Sequence, residues 1–86
     1  MIMTIETDFG TFQRKAWTGG DTPNAEFEKT VVGRQLLTFF INDQINDCGG
    51  LEGTLNWLMG GQTLEEKMAI FRNRALLDAW ATFNNA

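Results

Sequence analysis

An α+β fold, with a small N-terminal antiparallel sheet of two or three strands packed on two or three helices, is predicted by three observations. Met3, Ile5, Thr7 and Phe9 alternate with Thr4, Glu6 and Asp8, the period of two expected of a strand with one wet face. Gly19-Gly20-Asp21-Thr22-Pro23-Asn24 then interrupts the chain with residues that favour turns. Beyond it, apolar residues recur at steps of three and four, most clearly between Thr63 and Asn84. An 86-residue chain of this kind is expected to form a single domain, with 1–32 as a hairpin or meander and 34–86 as the helical part.

After the first strand, Gly10 offers a turn, and Thr11 to Thr18 is expected to return as a second strand because it is rich in Thr, Phe and Trp. The stretch from Thr22 to Val32 has two readings. Thr22 before Pro23 could cap a helix through Glu26 and Phe27, whereas the β-branched Thr30, Val31 and Val32 beside Gly33 disfavour a helix interior, so a third strand from about Glu26 to Val32 is favoured. Gly33 then releases the chain into a helix from Arg34 to about Asp47, with Leu36, Leu37, Phe40, Ile41, Ile45 and Cys48 on its buried side. Gly49-Gly50 ends it in the left-handed manner of helix termini.

Leu51 to Met59 reads as a short helix with Leu51, Leu55 and Leu58 on one side, weakened by about 1 kcal/mol at Gly53 relative to alanine. Gly60-Gly61 stops it. Thr63 and Glu66 then form a capping-box pair that starts a long helix at Leu64. Leu64, Met68, Phe71, Ala75, Ala79 and Phe83 line one face of that helix, widened by Leu76 and Trp80, and this face is expected to be the main cover of the core. Asn84 to Ala86 should fray.

Composition narrows the function. The chain is 43% hydrophobic and 21% charged, which suits a folded domain. Eleven acids against seven bases give a net charge of −4, so phosphate backbones are disfavoured partners and basic protein surfaces favoured ones. Cys48 is the only cysteine, which permits no internal disulfide and fits a reducing cytoplasm. No apolar run approaches the roughly twenty residues that span a bilayer, and residues 1–9 lack the basic and apolar regions of a secretory signal, so no membrane role is expected.

The chain has no His, no Ser and no Tyr, which removes the commonest general base, the acyl-transfer hydroxyl and the phenolic acid together. Cys48 has no imidazole to activate it and reads as a small buried residue. One cysteine cannot assemble a zinc site. The oxygen-rich stretch from Asn42 to Gly49 also fails as a calcium loop, having Asp47 where glycine is needed and Gly53 where the closing glutamate belongs. Neither glycine pair has the flanking lysine of a phosphate-binding loop. No catalytic residue, metal or cofactor is therefore assigned, and an enzyme is not expected.

Three surfaces could carry binding. Asn42, Asp43, Asn46 and Asp47 form an acidic and amide face on the middle helix, against the helix macrodipole, suited to a basic protein partner though more often simply a solvated face. Ile70 and Leu77, with Ala81, form a minor stripe on the C-terminal helix that a homodimer could cover. Arg14, Lys15 and Trp17 beside Phe9 and Phe12 could stack and hold single-stranded nucleic acid, the minority reading on charge grounds.

The favoured function is a non-catalytic protein-binding module, a small acidic cytoplasmic accessory or inhibitor protein. In type, though without a motif, it resembles the compact phage and mobile-element proteins that block a host or defence enzyme. The alternatives are single-stranded nucleic-acid binding through the hairpin and a structural subunit of a homo-oligomeric assembly.

Overall fold

The computed structural model describes residues 3–84 and has the α+β architecture. Two strands, β1 (Thr4–Thr7) and β2 (Gly10–Gln13), precede four helices: α1 (Ala25–Lys29), α2 (Val31–Asp47), α3 (Gly50–Met59) and α4 (Leu64–Asn84). Of the residues expected to fray, Asn84 is the last residue of α4, and Asn85 and Ala86 lie outside the described residues. No helix of the described residues is long and apolar enough to cross a membrane.

β1 and β2 pair antiparallel with Thr7 opposite Gly10 and Ile5 opposite Phe12, which leaves Asp8 and Phe9 as the turn. Thr7 closes it, its hydroxyl donating to the Gly10 carbonyl at 2.9 Å and accepting from the Phe9 amide at 3.1 Å. Asp8 and Gln35 bond reciprocally through backbone and side chain, tying the turn to α2. The strand expected over Thr11–Thr18 stops at Gln13. The Arg14 amide still donates to the Met3 carbonyl at 3.0 Å, and from Lys15 the chain leaves the ladder because its polar backbone finds a partner on α4. The Thr82 hydroxyl, fully buried, accepts from the Lys15 amide at 2.9 Å and donates to the Lys15 carbonyl at 3.1 Å.

The third strand expected over Glu26–Val32 is instead α1 and the first turn of α2. Local capping outweighs strand propensity here. The Asn24 side chain accepts from the Phe27 amide at 3.1 Å and starts α1. Thr30 then ends one helix and begins the next: its hydroxyl donates to the Phe27 carbonyl at 2.8 Å and accepts from the Gly33 amide at 3.0 Å. Val31 and Val32 fall in the first turn of α2. Gly33 is required by packing, since a Cβ there would lie 2.0 Å from the Phe27 carbonyl oxygen. Gly53 has the same logic: a Cβ would stand 1.9 Å from the Cys48 carbonyl oxygen across the sharp α2–α3 turn, where Gly49 and Gly50 hold positive φ.

The core is formed by Ile5 from the hairpin, Phe27 from α1, Leu36 and Phe40 from α2, and Ala75 and Ala79 from α4. Phe27 meets the Trp80 ring edge-on at 5.0 Å, and Phe83 lies beside Phe12 and Phe27. An ion pair of 2.9 Å between Arg72 and Glu28 joins α4 to α1, and the Gln44 side-chain amide donates to the Phe71 carbonyl at 2.9 Å, joining α2 to α4.

Candidate functional site

Helix periodicity sends the residues of α2 into two different environments. Ile41 and Ile45 line one side of it, and Asp43 and Asp47 line another. Each side opens on a cleft of about 500 Å³, and the two clefts differ in chemistry.

The first is polar and measures about 510 Å³; Arg14, Trp17, Asp43, Asp47, Cys48, Arg74, Leu77 and Asp78 are among its lining residues. Its charges are largely engaged in holding the fold. Arg14 donates two parallel hydrogen bonds to the Asp43 carboxylate, at 3.2 and 2.6 Å, and its guanidinium lies 5.6 Å from the centre of the Phe40 ring. The Trp17 amide donates to the Asp78 carboxylate at 3.0 Å, and the Trp17 indole donates to the Asp21 carbonyl at 3.4 Å. Cys48, expected to be buried, is exposed: as the C-cap of α2 it stands where the helix ends in two glycines. No group of three or more His, Cys, Asp or Glu among the described residues could hold a metal ion.

The second cleft is an apolar groove of about 500 Å³, with Ile41 and Ile45 of α2, Leu51, Leu55 and Leu58 of α3, and Met68 and Phe71 of α4 as its apolar side chains. Of its lining residues, Leu51 is 70% exposed, Leu55 58% and Met68 54%. Its two polar members are occupied within the chain: the Thr54 hydroxyl donates to the Gly50 carbonyl at 2.9 Å and Arg72 is ion-paired with Glu28.

The α3 wall of this groove is held to α4 by a buried lysine. Lys67 donates to the Trp57 carbonyl at 2.6 Å and also to the Gly60 carbonyl, and its ammonium lies 5.4 Å from the centre of the Trp57 ring. These carbonyls belong to the α3 C-terminus, where a cation is favoured and the last acceptors lack helical partners. The Trp57 ring also lies 6.4 Å from that of Phe71.

The four residues expected to form one acidic face are thus divided. Asp43 is held by Arg14, Asp47 lines the polar cleft, and Asn42 and Asn46 are exposed between the clefts. Ile70 and Leu77 are separated too: Ile70 is exposed at a smaller depression with Cys48 and Trp57, while Leu77 is half-buried in the polar cleft. Arg14, Lys15 and Trp17 lie past the end of β2 and do not share a sheet face: the Arg14 side chain is held on α2, while the Lys15 and Trp17 backbones are bonded to α4.

The groove itself had partial sequence signals. The Leu51, Leu55 and Leu58 spacing and the Leu64 and Met68 stripe are legible as apolar faces, but both read as core. Lys67 gave no signal. Compared with protein-family models, curated proteins and solved structures, the chain gives no significant match.

Proposed function

We propose that this chain is a non-catalytic protein-binding module, a small acidic accessory or inhibitor protein that acts by occupying a partner through the α2–α3–α4 groove. The observation that carries this reading is the set of large apolar side chains left open along one groove, Leu51, Leu55 and Met68. Scattered surface hydrophobics are ordinary, but a contiguous set marks an interaction site. The polar cleft supports the same reading from the other side. Its Asp43 and Asp78 are bound to Arg14 and the Trp17 amide, and its thiol has no imidazole beside it because the chain contains no histidine. Nucleic-acid binding loses its geometric support, since Arg14 is spent on Asp43 and the Trp17 backbone on Asp78.

The test is capture from the native cell by four forms of the protein. Wild type and an Asn46→Ala/Asp47→Ala variant should retain the same protein, and Leu55→Gln and Met68→Gln should lose it while keeping the wild-type circular dichroism and melting temperature. Capture indifferent to the groove variants, or lost only with Asn46 and Asp47, would move the docking surface elsewhere.

A further inference from the structure

We propose that the groove receives an amphipathic helix of a partner protein, with an apolar stripe flanked by lysine or arginine; this rests on the groove being the docking surface. Two observations lead there. The first concerns hydrogen bonds. The groove is walled by three helices whose backbone groups are satisfied internally, and its polar side chains, Thr54 and Arg72, are already partnered. An extended peptide laid in it would bury amide and carbonyl groups with nothing to bond, at about 1–3 kcal/mol each. A helix carries its own partners and presents only side chains.

The second observation is charge. On α3, Glu52 follows Leu51 and stands three residues before Leu55; on α4, Glu65 stands three residues before Met68 and four before Ala69, all of which line the groove. Both glutamates are exposed, while Arg72 is neutralised by Glu28 and Lys67 is buried on the α3 carbonyls. The margins of the groove on α3 and α4 are therefore acidic, which complements cationic flanks. A second copy of this chain is the poorer occupant. A two-fold contact sets one patch against itself, bringing acidic margins and two net charges of −4 together. The groove is also the right length: α3 has ten residues, about 15 Å of helix, enough for anchors at i, i+4 and i+7 of a partner helix.

The experiment uses the full chain and three fluorescein-labelled 18-residue peptides with the same helical leucine stripe and lysine, glutamine or glutamate elsewhere, read by anisotropy and by peptide helicity. The lysine peptide should bind at least tenfold more tightly than the glutamate peptide and become helical. Leu55→Gln and Met68→Gln should weaken it at least tenfold, and Glu52→Gln/Glu65→Gln should erase the preference between lysine and glutamate peptides while leaving the glutamine peptide unchanged. Equal binding of lysine and glutamate peptides, sensitive to Leu55→Gln, overturns the cationic partner and leaves the groove standing. A peptide bound without helicity overturns the helix. Lysine-peptide binding that ignores Leu55→Gln and Met68→Gln, or no binding of any peptide to a monomeric wild type, overturns both the proposal and the docking surface. A wild-type dimer in light scattering that Met68→Gln converts to monomer, with no peptide bound, assigns the groove to a second copy and ends the proposal.

Discussion

Between Ala75 and Phe83, α4 lies against the hairpin, α1 and α2, and Ala75, Ala79, Ala81 and Thr82 are all buried. Between Leu64 and Phe71 the same helix lies beside α3, and along the same stripe Leu64 and Met68 stay open. The difference follows from side-chain size and from what the chain has left to cover with. Alanines at 75 and 79 let α2 approach closely, and the aromatic rings of Phe27, Trp80 and Phe83 fill the remaining space. At the other end only ten residues of α3 are available, and their leucines line the same groove as Met68 without closing it. One end of α4 is a core built to density, and the other is an apolar surface with flexible side chains, the composition favoured where a protein accommodates a partner.

The sharpest way to test this contrast is to truncate at the packed end. Phe40→Ala removes a fully buried ring over which Arg14 lies, and it should cost about 3–5 kcal/mol, read as a lowered urea midpoint. A domain of this size holds about 4–13 kcal/mol in all, so the loss takes a large share of the total stability. A cost under about 1 kcal/mol would mean that this end is no better packed than the groove.

Gly33→Ala tests whether α1 is locked onto α2 at that end. Its Cβ would collide with backbone at Phe27, so α1 must shift, at an expected cost of about 2–3 kcal/mol comparable to overpacking a core. Neutrality would show that α1 is loosely held.

Lys67→Met addresses the open end. It removes the donor to the Trp57 and Gly60 carbonyls and should cost about 1–3 kcal/mol, with hydrogen-exchange protection lost first in α3 and kept in α2. Uniform loss of protection would mean that α3 belongs to the same cooperative unit as the packed end.

A double-mutant cycle on Arg14→Gln and Asp43→Asn should give a coupling of about 1 kcal/mol, since the pair is bidentate but partly exposed to solvent. No coupling would free both residues for a ligand in the polar cleft. The smallest effect on stability is expected from Met68→Gln, within about 0.5 kcal/mol because the residue is more than half exposed. A large loss of stability there would make the groove part of the core.

Much of the architecture is legible in the residues. The Gly49-Gly50 turn, the Gly60-Gly61 stop and the start of α4 at Leu64 lie where glycine conformation and capping place them, with the Thr63 hydroxyl accepting from the Glu66 amide at 3.4 Å. The errors cluster between Arg14 and Val32, where local propensity and tertiary demand disagree. Thr30, Val31 and Val32 favour a strand taken alone, yet Thr30 caps two helices at once, and Gly33 serves the close contact of α1 with α2. The second strand ends early because Thr82, far along the chain, satisfies the Lys15 backbone.

What the chain determined by itself is therefore the identity of its long helical segments, their stops, the acidic balance and the lack of imidazole, hydroxymethyl and phenol side chains. Those properties are local or compositional, set by periodicity, capping and residue type. Which apolar face is core and which is open, and which carboxylate is paired and which is free, was decided only when the elements met. Ala79 and Met68 share a stripe, as do Asp43 and Asp47. Their different surroundings arise because the hairpin, α1 and α2 cover one end of α4, whereas α3 is too short to cover the other.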